Sequence, residues 1–179
     1  MLGYNITNDH SGPDNMIAYL QKHVKHNIEV QHNEHNIFSK KDPPRMPIDE
    51  FVNRLNDTFQ CDQACFNIAL YYLGKLQEAS LYQHSSPIYY ITRHTVHRML
   101  ISTLLLATKF FEDHARQNAY YAAQAGISVA ELDKLELEVF KAIGFNCYVD
   151  TDNFVVKDYY YSHQLHALKF VNIRHRKNK

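Results

Sequence analysis

Two charged residues, Lys109 and Glu136, set where this chain could do chemistry. Lys109 stands near the end of the apolar run VHRMLISTLLLATKFFED, and Glu136 lies inside the run SVAELDKLELEVFKAIG. At about 100° per residue, Val129, Leu132, Phe140 and Ile143 fall within about 40° of Glu136, whereas Glu131, Lys134, Glu138 and Lys141 share the opposite face. An acid within an apolar stripe needs a cation or several N–H donors, because an unpaired buried charge is expensive. Glu138 makes no such demand, being spaced to pair with Lys134 and Lys141 on a solvated face. Lys109 shares a narrow polar strip with Thr95, Arg98 and Ser102, opposite Val96, Leu100, Leu104, Ala107 and Phe111. By spacing alone it reads as a solvent-facing lysine in a last turn, where the helix dipole favours a cation.

The elements that must position these residues read as helices. Ser128 and Glu131 form an S-x-x-E capping box worth about 1 kcal/mol, and Gly144 falls where a helix C-terminus wants a left-handed residue. The preceding helix is apolar on most sides and has to be wrapped by others, which makes it the centre of a small all-α domain. Upstream, Pro43, Pro44 and Pro47 break any helix arriving from the first forty residues. Ile48, Phe51 or Val52, Leu55 and Phe59 then begin a helical period. Asp62 can cap a second helix whose Cys65, Ile68, Tyr72 and Leu76 face the core, and the loop SLYQHSSPIYYITRH leads on to the apolar helix. The expected core domain is 47–150. Residues 1–46 form an N-terminal extension in which Asp14 could cap a helix striped by Ile17, Leu20, Val24 and Ile28. Residues 151–179 read as a further helix and a basic tail, five basic residues counting Lys169, that suits a nuclear address, an anionic surface or a frayed end.

The run HTVHRMLISTLLLATKFFEDHARQNAYYAAQAGISVAELDKLELEVFKAIGF closely resembles the cyclin box of the phosphate-regulation (P-type, or P/U-type) cyclins of fungi, plants and protists. The motifs that carry it, in order, are VHR, an apolar helix ending in A-x-K-F, N-x-x-YA, a glycine, S-x-x-E-L and LE-x-E-x-F; together they are specific. The resemblance covers roughly Pro47 to Asp150 and implies a single cyclin box, with about five core helices around one central apolar helix and flanking helices at both termini. It implies a regulatory subunit that binds and activates a cyclin-dependent serine/threonine protein kinase by positioning the kinase C-helix. Lys109 and Glu136 match the lysine and glutamate that cyclin boxes pair and set against kinase backbone, with Phe110, Leu137 and Phe140 supplying apolar contact. The alternative is a cyclin-like helical adaptor that binds a transcription or scaffold partner and no kinase. Substrate-recruiting cyclins use a patch that begins Met-Arg and includes a tryptophan. Here a gap-free alignment sets Pro44, Arg45, Ile48 and Phe51 at those positions, and the chain has no tryptophan, so substrate docking would rest on an altered pattern.

Composition narrows the remaining classes. At 179 residues the chain can bury about 70% of its unfolded surface, enough for one core. Nineteen basic residues against nineteen acidic ones carry no nucleic-acid footprint. No apolar run spans a bilayer and no signal peptide opens the sequence, so the expected location is intracellular, in nucleus or cytoplasm. Cys61, Cys65 and Cys147 read as reduced core thiols. His23 with His26, and His32 with His35, are spaced i, i+3, but no Cys or carboxylate motif completes a metal site beside them. Glycine-rich phosphate loops, G-x-S-x-G and H-E-x-x-H are all absent. The expectation is a binding protein without catalytic residues, cofactor or metal.

Overall fold

A computed structural model describes residues 12–27, 36–82 and 89–149, leaving aside the side chains of residues 80–82. These residues fall within a compact unit, His10–Val149. Met1–Asp9 with Asp150–Lys179 lie outside the described residues, as do the expected C-terminal helix, the basic tail, His32 and His35. The described residues form six helices and no strands: α1 (Gly12–His26), α2 (Ile48–Phe59), α3 (Gln63–Tyr82), α4 (Val96–Phe111), α5 (Asn118–Ala125) and α6 (Val129–Ala142). None is long and apolar enough to cross a membrane.

The central helix is α4, as its sequence demanded. Every residue from Met99 to Thr108 is buried, and the helix packs chiefly against α3 and α6. Its polar residues are accommodated by bonding within the helix. The hydroxyls of Ser102, Thr103 and Thr108 donate to the carbonyls of Arg98, Met99 and Leu104 at 2.7, 2.8 and 2.9 Å. Arg98 leaves the strip: it donates to Ser39 O and pairs with Glu131 of α6. Phe111, expected on the buried side, is exposed instead, because it is the last residue of the helix and none of the described residues buries it.

Asp62 caps α3 as expected, its carboxylate accepting the Ala64 N–H at 2.7 Å. The burial of α3 extends beyond the expected stripe to Phe66, Ala69 and Leu73, since α1, α4 and α6 all pack on it. Helix α1 belongs to the same packed unit. Met16, Leu20 and His23 are buried, and the prolines near residue 45 lie between α1 and α2 within that unit. Asp14 sits in the first turn of α1, which starts two residues earlier at Gly12. A Cβ at Gly12 would lie 2.4 Å from the carbonyl oxygen of Gln63, so the approach of α1 to α3 requires glycine there.

Candidate functional site

Three helices meet at one polar node. Lys109 comes from the last turn of α4, Glu136 from the middle of α6, and Asn118 from the first turn of α5. The Lys109 ammonium donates to both carboxylate oxygens of Glu136, at 2.8 and 2.9 Å. Asn118 Nδ2 donates to Glu136 Oε2 at 3.0 Å and to Asp133 Oδ1 at 2.6 Å. The pair is sheltered without being sealed, with 34% of the Lys109 side chain and 17% of Glu136 left exposed.

Helix α6 is held by its own sequence at both ends. The Ser128 hydroxyl accepts the Glu131 N–H at 3.1 Å, and Gly144 adopts the left-handed conformation expected of it. The reciprocal half of the box is not used, because Glu131 is drawn to Arg98. The buried stripe runs along Leu132, Leu135 and Val139, with Val129 exposed. Glu136 therefore flanks the stripe instead of occupying its centre, which is how it reaches both a buried amide and a half-exposed lysine. The opposite face is also less solvated than its spacing suggested. Glu138 accepts the Tyr89 hydroxyl, not a lysine, since the segment before α4 lies across it.

The other residues expected at the site lie on the same two helices, Phe110 on α4 and Leu137 and Phe140 on α6. Phe110 and Leu137, each one position beyond a member of the ion pair, are 54% and 48% exposed. Phe140 is half-buried and its ring meets that of Phe145 edge-on at 5.0 Å. Phe145 is exposed and holds a left-handed φ of 57°, unusual for an aromatic residue. Asn118 and Phe145 were missed by sequence reasoning. The N-x-x-YA motif marked Asn118 without giving it a partner, and the glycine before Phe145 marked only a helix end.

Beneath the end of α4, Glu112 joins the helix to the α2–α3 turn. Its Oε1 accepts the Asp62 N–H at 2.7 Å and faces Cys65 Sγ at 3.6 Å. Cys61, Cys65 and Cys147 are free thiols, as expected. The Cys65 thiol is pushed up by its bond to Cys61 and by burial, whereas Cys61 is lowered because its thiolate accepts from Cys65. The histidine pair on α1 is split: His23 is buried and packs its ring on Tyr19 at 4.2 Å, while His26 is exposed. Among the described residues no group of three or more His, Cys, Asp or Glu is placed to hold a metal ion.

Of the residues aligned with a substrate-recruiting patch, Phe51 is turned into the core. Its ring lies 4.6 Å from that of His97, and the outer edge of α2 is a cleft lined by Asp49, Glu50, Asn53, Arg54 and Asp57. That edge is polar and largely acidic. The node at Lys109 presents the reverse combination, a held ammonium on helices that also expose Phe110 and Leu137. Such a surface can donate an N–H to a partner's carbonyl while burying apolar area around it.

The profile of the family described as Cyclin matches residues 7–147. Cyclin-P3-1 of Oryza sativa subsp. japonica is 32% identical over 144 residues, 78% of this chain and 58% of that protein. Cyclin-U4-1 of Arabidopsis thaliana is 31% identical over 127 residues, covering 71% and 60%, and cyclin-U3-1 is 31% identical over 118 residues, covering 66% and 50%. The chain thus spans between half and three fifths of the length of these relatives.

Proposed function

Because the chain belongs to the cyclin family, with P-type and U-type plant cyclins among its relatives, we propose that it is the regulatory subunit of a cyclin-dependent serine/threonine protein kinase. The observation that carries this reading is the state of Lys109. Two of its three N–H donors are spent on Glu136, and the third has no partner among the described residues. A main-chain carbonyl of the kinase beside its C-helix is the acceptor we assign to it. Phe110, Leu137 and Phe140 then bury apolar area around that bond, in an interface of about 1,600 Å² if the complex is stable.

The chain's contribution is binding energy. A preformed surface that binds only the active arrangement of the C-helix shifts the kinase toward the state in which its catalytic Lys–Glu pair forms. The burial of α4 supports this role, since Lys109 is carried on the most enclosed helix of the fold and arrives already positioned. A partner of this kind places the protein inside the cell, in nucleus or cytoplasm.

The test is a co-expression pull-down of the full chain against the host's cyclin-dependent kinases, with Glu136→Ala and Lys109→Glu beside wild type and circular dichroism as the folding control. Retention and activation of one or a few kinases, lost in folded variants, supports the reading. If well-folded wild type retains none, the reading fails and the adaptor alternative takes its place.

A further inference from the structure

The node contains a buried group left unsatisfied. Asn118 places its Nδ2 on two carboxylates, Asp133 and Glu136, and its Oδ1 is buried without a hydrogen-bond partner. An orphaned buried acceptor is costly, and native structures keep few of them. The amide can keep both carboxylates supplied with a donor only in this orientation. Reversing it would set Oδ1 against two anions.

The arrangement also has a direction. Glu136 takes two bonds from Lys109 and one from Asn118, from different helices. Without Asn118, the carboxylate would be fixed from the Lys109 side alone and free to turn about its last bond. Lys109 would turn with it, since both ends of a lysine–carboxylate contact are flexible. Asp133 cannot replace the amide, because it is a second anion.

We infer that Asn118 is a positioning residue for the partner-binding lysine, fixing the Glu136 carboxylate so that Lys109 is held in one place for its acceptor. This rests on the kinase-binding reading above. Asn118 does not itself touch the kinase, and its effect passes through Glu136.

Two roles must be separated, the tie between α5 and α6 through Asp133 and the fixing of Glu136. Asn118→Asp puts a third carboxyl beside Asp133 and Glu136 of α6, with Lys109 of α4 and Arg116 of the approach to α5 as the nearby cations. The end of α2 facing α5 supplies neutral groups, the Thr58 carbonyl and the Gln60 amide. Above the carboxylate range this variant repels. Once protonated, the introduced carboxyl regains one donor and can bond Glu136 again. Adding Asp133→Asn returns an amide to the α5–α6 tie and restores the charge count, but leaves Glu136 facing an anion.

The experiment measures affinity for a purified kinase from the pull-down, from pH 5 to pH 8, together with the melting temperature of each free full-length chain. For Asn118→Ala we expect affinity to fall about tenfold. For Asn118→Asp we expect a larger loss at pH 8 that narrows toward pH 5, against the wild-type profile. The Asn118→Asp/Asp133→Asn chain should recover melting temperature but not affinity. Recovery of both would overturn the inference, because the residue would then be structural only. Wild-type affinity in a folded Asn118→Ala chain would overturn it as well, while Glu136→Ala still weakening the complex would leave the kinase reading standing. If Glu136→Ala also binds normally, it is the kinase reading that has failed.

Discussion

Lys109 and Glu136, 27 residues apart on α4 and α6, meet through both carboxylate oxygens at 2.8 and 2.9 Å. The contact closes the C-terminal end of the central helix onto α6. Removing Glu136 leaves Lys109 without its anion, and removing Lys109 leaves Glu136 with only the Asn118 amide among its described partners. Because the pair is partly exposed, the cost to the fold is discounted to about 1–2 kcal/mol. Chemical denaturation of Glu136→Ala and Lys109→Glu reads this directly. The swapped pair, Lys109→Glu with Glu136→Lys, should recover only part of the stability, because the Asn118 N–H then faces an ammonium, while kinase retention stays lost, since the acceptor on the kinase faces an anion.

The apolar side chains next in sequence to the pair should behave oppositely. Phe110 and Leu137 are half exposed, so Phe110→Ser and Leu137→Ser should change stability by no more than about 0.5 kcal/mol. Each should nevertheless weaken the kinase complex by about 2 kcal/mol, as central interface residues do. Matching losses of stability and affinity would assign them to the core.

Gly12 is expected to tolerate no side chain. Its Cβ would meet a backbone carbonyl at 2.4 Å, which moves only if α1 shifts on α3. Gly12→Ala should therefore cost more than the roughly 1 kcal/mol of Gly126→Ala, which has open space around it and pays only for its left-handed φ of 69°. Melting temperatures in reverse order would contradict the packing of α1.

His23 predicts an acid-sensitive fold. Burial, followed by the neighbouring charges of Lys22 and His26, lowers it from 6.5 to about 4. Between those values the unfolded chain takes up a proton that the folded chain refuses. The stability from neutral His23 is therefore complete above about pH 6.5 and is lost as pH falls toward 4, by about 3 kcal/mol in all. His97, lowered by burial against the opposing bond to the Met46 carbonyl, adds a slope of the same sign. Denaturation midpoints from pH 7.5 to 4.5 should show the loss, and His23→Leu should flatten it; an unchanged slope in that variant would assign the acid sensitivity elsewhere.

Ser128→Ala should remove the one side-chain bond at the start of α6 and cost about 1 kcal/mol. Glu131→Ala should cost through its lost partner Arg98, whose charge would stand half-buried with only Ser39 O left among its described partners.

Much of this fold was legible along the chain because its signals are local. The predominantly apolar character of Met99–Leu106 required a central helix, Asp62 and Ser128 announced their caps, and Gly144 announced its turn. The site was legible in part. Motif order singled out Lys109 and Glu136, and Glu136 was conspicuous as an acid among apolar residues. Helix α5 carried little warning: it is eight residues long, and its N-cap Gln117 makes no side-chain capping bond.

By itself, the sequence determined that the segments of α2, α3, α4 and α6 are helical and that α4 must be central, since propensity, caps and apolar period act over a few neighbouring residues. Only the tertiary structure decided the rotation of α6, which exposes Val129 and buries Leu135, and the company each charge keeps: Glu131 with Arg98, Glu138 with Tyr89, Glu136 with Lys109 and Asn118. A helical period locates an apolar face to within several tens of degrees. Whether a carboxylate on its border finds water, a tyrosine or a lysine depends on which helix end comes to rest against it.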